Sequence, residues 1–597
     1  MSPSEPHHMS RTHNLQSKDQ DQSVEKYSPL DQQTDEIRIL MLQPGVGLDP
    51  LRCTLATCQL GNCKAFEALS YAWGHPTPVE PIFINGSRTL IAHNLSVALQ
   101  HLRLPQAFRA LWVDAVCINQ TDIGERNHQV FIMNRLYSAA ERVLVWLGEA
   151  RDHSDIAMKW LEELAEGQKM TLVEEITSGP LIYNCLMDRD WWGRLWVVQE
   201  VVLAKSDPIL ICGPNSLPWS IFMKGFRAAG SKAAEAPEHI EKGLERWTQC
   251  NALYYLRQFH HSLSSSNGVR FCNLSLGLIL QFTKDFHSTD PRDKIYGALG
   301  LLSMNERERM KPDYKKPIEL VFLEATQHIL EHGNYSPFFF SIFSFSPSGK
   351  GLSRASPSWV PDFSAQKALN PGNPEGLIHA SLSKAPMSSI TRECVSFQDD
   401  NRVLELTGVL FDTVEVAVEL KDRNELLLTQ IPELEHLIQL AAEKQIPTDD
   451  PLYCLNTFKK HEDIFQVLTA GRDNSDDPAT SLRDQYEALT GRAAASSLGF
   501  HSATETSDPL VWLLKDVFPG RCFFVTKMGF FGVAVATVRE NDDVTFLFGE
   551  RLPIILRPRG LFYSMVGAAH VSGVMDDEVT GDMYERGLVE KRTFLIR

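Results

Sequence analysis

FEALSYAWG, residues Phe66 to Gly74, decides how the N-terminal part of this chain is read. Ala68 and Leu69 lead into Ser70, Tyr71 and Trp73, and the run ends on Gly74. A buried strand here hands polar and aromatic residues to a loop, with glycine where the chain must turn or approach closely. Two further stretches repeat the mixture of indole and charge: LWVDAVCINQ (Leu111–Gln120) and RDWWGRLWVVQE (Arg189–Glu200). Tryptophan ordinarily serves packing, and charges are kept out of cores. Three such mixtures within 135 residues point to a pocket. The alternative is a packed interior with incidental polar neighbours.

Outward from these stretches, strand-like runs alternate with helical stripes. ALSYA, ALWVDAVCI, RVLVWLG and PILICG are short apolar runs bounded by Gly, Pro or Asn. Between them, Asn94–Leu104 and Glu125–Ala140 have helical spacing; in the second, Val130, Met133, Leu136, Tyr137 and Ala140 share a face. The alternation predicts an α/β fold: a flavodoxin-like parallel sheet with helices on both faces. Such sheets bind ligands beyond the carboxyl ends of their strands.

The whole chain divides into a disordered polar tail (1–36), this α/β domain (37–213) and a mostly helical region (214–335). A mixed linker with strands (336–420), an acidic helical region (421–510) and a small β-rich C-terminal lobe (511–597) follow. In the lobe, CFFVTKMGFFGVAVATV and DVTFLFG flank ENDD, which reads as a hairpin. Asp290 before Pro291 suits a helix N-cap.

With 597 residues, 43% of them hydrophobic, a sizeable core is available. Net charge is 58 − 75 = −17. That excess opposes phosphate backbones and anionic lipid, so nucleic acid is not an expected partner. No apolar window reaches about 18 residues, and the polar N-terminus has no secretory h-region; the expected location is cytoplasmic, with no membrane contact. Eleven scattered cysteines are expected to be reduced thiols. Cys53, Cys58 and Cys63 are evenly spaced but lack CxxC spacing and a close fourth ligand, so no metal site is assigned.

Asp114 lies within an apolar run, where an unpaired carboxylate is costly. It must meet Arg126, Arg194 or a backbone N–H, or else line a cleft. Cys117 with His128 is the available nucleophile–base pair, without an activating pattern around it. On one helix, Trp192, Trp196 and Glu200 would fall at i, i+4 and i+8, placing indoles and carboxylate on one face. A carboxylate against indole in a half-apolar cleft has a raised pKa or faces a developing cation. The alternative is that Glu200 pairs with Arg126 or Arg194 and only fixes the fold. Trp73 has the same two readings, stacking on a ligand ring or capping the sheet.

The three stretches, in this order, resemble the motifs of the fungal heterokaryon-incompatibility (HET) domain. DPRDKIYGALGL, PSWVPDF and VGAAHVSGVMD resemble segments that follow such domains in fungal proteins. HET domains are in turn similar to the Toll/interleukin-receptor (TIR) fold. FEALSYAWG resembles the opening TIR strand, and WVVQE resembles the TIR helix in which a Trp-Cys pair precedes a Glu required for NAD cleavage. Here Val197 stands where many TIR domains have Cys. The resemblance implies Glu200 as catalytic residue; the three stretches themselves offer Ser70, Tyr71, Trp73, Gly74, Asp114, Arg194 and Trp196 as the expected substrate-binding residues, with Trp73 or Trp196 stacking on a ring and Arg194 taking phosphate. NAD is implied as substrate rather than cofactor, and no cofactor is implied. It implies an incompatibility protein that triggers cell death, with other incompatibility or signalling proteins as partners, or a homo-oligomer. A non-enzymatic signalling module, or a regulatory protein using the domain architecturally, is the alternative.

Overall fold

The computed structural model describes residues 27–74, 77–168, 182–229, 240–264, 274–332, 340, 356–365, 395–419, 436–437, 439–448, 521–535, 537–550, 552–572, 574, 584 and 586–597. Most of the expected polar tail and of the acidic helical stretch 421–510 lies outside the described residues.

Nine strands build the N-terminal sheet: β1 (Glu36–Leu42), β2 (Arg52–Gln59), β3 (Glu67–Tyr71), β4 (Glu80–Ile84), β5 (Ser87–Ile91), β6 (Arg109–Trp112), β7 (Arg142–Gly148), β8 (Ile209–Cys212) and β9 (Asn215–Pro218). Their spatial order is β5-β4-β2-β1-β6-β3-β7-β8-β9. The central strands β6, β3, β7 and β8 run parallel. Counted along the chain, these four lie in the order 2-1-3-4, the flavodoxin-type order. The α/β expectation therefore holds at the centre, and antiparallel pairings, with one parallel pair between β2 and β4, extend the sheet on both sides. Tight turns explain why. Asn85 and Gly86 join β4 to β5 with φ of 53° and 85°, the pair of positive φ values that a two-residue hairpin prefers. Gly213 and Pro214 return β8 directly into β9. A parallel neighbour would have needed a crossover.

Along the chain the helices are α1 (His93–Leu102), the single turn α2 (Asp114–Cys117), α3 (Ile123–Ala139), α4 (Ser154–Ala165), α5 (Val197–Val202), α6 (Trp219–Ala229), α7 (Ile240–Ser264), α8 (Leu276–Thr283), α9 (Asp293–Leu299), α10 (Met304–Arg309) and α11 (Ile318–Glu331). Asp122 caps α3 by accepting from Glu125 N–H at 3.1 Å. Gly225 lets α6 rest on the backbone of α4: a Cβ there would lie 2.0 Å from the Leu161 carbonyl oxygen.

The C-terminal part contributes β10 (Ser396–Gln398), β11 (Val403–Glu419), β12 (Arg521–Thr526), β13 (Phe531–Val535), β14 (Asp543–Leu547), β15 (Ile554–Arg559), β16 (Phe562–Val571) and β17 (Lys591–Ile596). The long β11 pairs with β12 through its last residues and with β14 through its middle, bulging between. Those bulges bend it enough to close β11-β12-β13-β16-β15-β14 into a ring. The hairpin expected across ENDD is not formed. β13 pairs instead with β12 and β16, and β14 with β11 and β15.

PSWVPDF ties the lobe to the helices. Phe363 packs edge-on against Phe322 of α11, with ring centroids 5.2 Å apart. Trp359 is fully buried, donates to the Arg402 carbonyl at 3.1 Å and lies 5.5 Å from the Phe397 ring. One continuous apolar cluster thus includes Leu40 of β1, Phe322, Trp359 and Ile596 of β17.

Candidate functional site

Ser70 and Tyr71 close β3, and its parallel neighbours make this a carboxyl end facing outward from the sheet. Both side chains are buried. Gly74 follows at φ 71°, left-handed backbone that a Cβ disfavours. Trp73 stands between them, 44% exposed. The chain entering α1 fixes this corner: Asn94 donates to the Ala72 carbonyl at 2.6 Å and accepts from Trp146 Nε1 at 3.0 Å.

Asp114 does not lie within a strand. β6 ends at Trp112 and Asp114 opens the turn α2, where its Oδ1 accepts from Ala115 N–H at 2.7 Å. Its Oδ2 accepts from Trp73 Nε1 at 2.8 Å, and the Tyr71 hydroxyl also donates to it. A half-buried carboxylate thereby fixes an exposed indole.

The expected continuous helix through Trp192, Trp196 and Glu200 is broken. Asp190–Gly193 is a 3-10 turn, Arg194 is extended, and α5 begins only at Val197. The break comes from Gly193 and His287, which exchange backbone bonds: His287 N–H donates to Gly193 O at 2.6 Å and Leu195 N–H to His287 O at 2.9 Å. The three side chains therefore diverge. Trp192 donates to Leu186 O and stacks on Phe222. Trp196 donates to Asp293 Oδ2 at 3.2 Å. Trp191 turns inward instead, and its Nε1 donates to Ser70 Oγ at 2.8 Å.

Glu200, 2% exposed in the first turn of α5, completes the group. It accepts from the Ser70 hydroxyl and from Tyr137 of α3. Arg194 Nη1 lies 3.9 Å from Glu200 Oε2 and donates to the Tyr71 carbonyl. Six of the eight expected residues thus meet in one network: Ser70, Tyr71, Trp73, Asp114, Arg194 and Glu200. Gly74 shapes its rim, and Trp196 is directed elsewhere.

Burial is the largest influence on both carboxyls, raising them, and Arg194 opposes it at each. The Ser70 hydroxyl lowers Glu200 further, and the nearby Asp114 charge raises it again. Burial prevails, and the Glu200 carboxyl is pushed up to about 7. Asp114 is raised above the ordinary carboxylate range, held back by Arg194 and the Trp73 N–H. A carboxyl poised near neutrality beside an arginine can change protonation or meet a developing cation.

Cys117, His128 and Arg126 stand outside this network. Burial pushes the Cys117 thiol up to about 12, and His128 pairs with Asp35 at 3.2 Å, so no nucleophile–base pair forms between them. Arg126 bonds neither carboxylate; it lies over the Tyr314 ring, 3.7 Å from its centroid. Cys58 and Cys63 are not reduced thiols but a disulfide, because the turn Leu60–Asn62 brings their Cα atoms within 5.5 Å. Among the described residues no group of three or more His, Cys, Asp or Glu could hold a metal ion. No described helix is long and apolar enough to cross a membrane.

DPRDKIYGALGL clamps the network from behind. Asp293 at the start of α9 accepts from Trp196 and from the Tyr314 hydroxyl at 2.5 Å, and burial pushes its carboxyl up to about 6. Gln199, beside Glu200, donates to the Gly297 carbonyl at 2.9 Å. Gly297 and Gly300 admit Leu195 and Gln199: Cβ atoms there would lie 2.9 and 2.3 Å from those side chains. The glycine spacing in YGALG was the available signal for a close helix contact.

A family model described as "Heterokaryon incompatibility protein (HET)" matches residues 66–200. A second, "Het-6 beta-barrel domain", matches residues 456–588. The chain is 23% identical to "Heterokaryon incompatibility protein 6, OR allele" of Neurospora crassa, covering 92% of this chain and 95% of that protein. No solved structure matches.

Proposed function

Because the chain is a fungal HET-domain protein, we propose that it acts in heterokaryon incompatibility, and that its α/β domain triggers cell death by cleaving NAD in the manner of TIR enzymes. The observation that carries this reading is the Ser70–Glu200–Arg194 network, with Glu200 poised at about 7, at the carboxyl end of parallel strands in flavodoxin-type order. Ligands favour that place, where the order reverses around β3.

In this reading the bond between ribose C1′ and the nicotinamide nitrogen breaks. The electron pair leaves with the ring, which departs neutral and needs no general acid. The ribosyl group becomes an oxocarbenium-like cation, and ionised Glu200 stabilises it. Water then adds to C1′ and releases a proton. Trp73, held by Asp114, stacks on the nicotinamide ring, and Arg194 balances the two carboxylates. Wild-type chain expressed in a fungal host should kill and deplete NAD, while Glu200→Gln should do neither. Killing without NAD loss would refute the reading.

A second reading has its own observation. Glu200 is nearly inaccessible and every bond described for it is internal, as in an architectural carboxylate of a signalling module. It expects Glu200→Gln to abolish killing only by lowering the melting temperature.

A further inference from the structure

A hollow of about 340 Å³ lies between α6, α7 and the loop after α5, away from the Glu200 network. Its volume falls at the small end of ligand pockets. Trp219, Met223 and Tyr254 line it with apolar surface, and Lys224, Arg227 and Arg257 line it with positive charge. Asp207 is the one acid among its lining residues. That carboxylate is already engaged, because Oδ2 accepts from the Ser220 hydroxyl at 2.7 Å and from Ser220 N–H at 3.2 Å at the start of α6.

The cations divide by role. Arg257 is used internally, donating to Val201 O at 2.7 Å, Ala204 O at 2.8 Å and Ser206 O at 3.1 Å. It therefore ties the wall of the hollow to the last turn of α5, the helix of Glu200. Lys224 and Arg227 are different. Both are exposed, three residues apart on α6, and neither has a carboxylate partner among the described residues. The Arg227 guanidinium lies over the Tyr254 ring, 4.7 Å from its centroid, which orients it. Like charges at this helical spacing repel. In a chain of net charge −17, two cations with no carboxylate partner among the described residues, at an aromatic-walled hollow, mark a place where an anion is stabilising.

We propose that this hollow binds a small organic phosphate, its phosphate between Lys224 and Arg227 and its apolar or aromatic body against Tyr254. The bidentate edge of Arg227 suits phosphate oxygens, and the apolar wall favours an organic phosphate over the bare ion. The site is independent of the Glu200 chemistry, and occupancy would stiffen α5 through Arg257.

The test titrates the full-length chain by calorimetry with phenyl phosphate, and with inorganic phosphate and phenol as the separated halves. Phenyl phosphate is expected to bind at least about tenfold more tightly than either half. Lys224→Ala/Arg227→Ala, both at exposed positions, should weaken it at least about tenfold and leave the melting temperature unchanged. Glu200→Gln should bind as wild type does, which separates this site from the NAD site. No binding of phenyl phosphate at about 5 mM, a Kd already weaker than the usual millimolar limit of specific binding, would overturn the proposal. So would equal binding by the double variant, or loss of binding in Glu200→Gln.

Discussion

Ser70 joins two buried groups: it accepts from the Trp191 indole and donates to Glu200. Ser70→Ala leaves both without that partner, and the cost of one unsatisfied buried polar group is about 1–3 kcal/mol. Denaturant unfolding should show a loss of that size; an unchanged midpoint would mean that the two groups find other partners. Glu200 makes a separate prediction through pH. Its folded carboxyl titrates at about 7, above the ordinary 4.5, so between those values the folded chain holds a proton that the unfolded chain has released. Stability from this group is fully present below about pH 4.5 and is lost as pH rises through about 7. Glu200→Gln cannot titrate. Its melting temperature should therefore gain on wild type between pH 5 and pH 7.5, measured by paired thermal scans; a gain by wild type over that range would contradict the raised carboxyl.

At the scale of elements, packing leaves little slack where glycine permits contact. Gly225→Ala would push a Cβ against the Leu161 carbonyl, which belongs to the backbone of α4 and cannot rotate away. The expected loss is about 1–3 kcal/mol, as for overpacked cores. Gly47→Ala is not a control, since Gly47 has φ 51°; Gly61→Ala, with nothing within 4 Å of the added carbon, is, and should be near neutral by the same unfolding assay. Equal losses at both positions would show that contact with α4 is not the cause. This also explains how far the sequence could be read. ALSYA, RVLVWLG and PILICG announced β3, β7 and β8 by apolar runs, and Asn94–Leu104 announced α1, because their partners are periodic. The break at Arg194 was hidden. It depends on backbone bonds to His287, more than 90 residues on, which no local spacing encodes. Trp191 therefore took the place next to Ser70 that helical spacing gave to its neighbours.

Across the whole molecule, the N-terminal sheet, the helices and the C-terminal ring share one apolar cluster, and PSWVPDF is a rivet between the last two. Trp359→Ala removes a fully buried indole there, and such truncations cost about 3–5 kcal/mol. Because the rivet joins two parts, the wild-type chain is expected to unfold in one calorimetric transition and the variant in two; one transition at the wild-type temperature in the variant would show that the parts are not coupled through it. The side chains of the candidate network were legible at Ser70, Trp73, Asp114 and Glu200, whereas its rear clamp was not, since Asp293 meets Trp196 and Gln199 meets Gly297 only after the helical region folds back. The central claim is that Glu200 acts as an ionised carboxylate on NAD, and the full-length chain tests it directly. Nicotinamide release should be measured at pH 6 and pH 8 for wild type and for Glu200→Gln, with melting temperatures taken on the same samples. With Glu200 titrating at about 7, the wild-type rate should rise about tenfold from pH 6 to pH 8, while Glu200→Gln stays folded and releases none. No release by folded wild type, or release by Glu200→Gln at the wild-type rate, would contradict the claim.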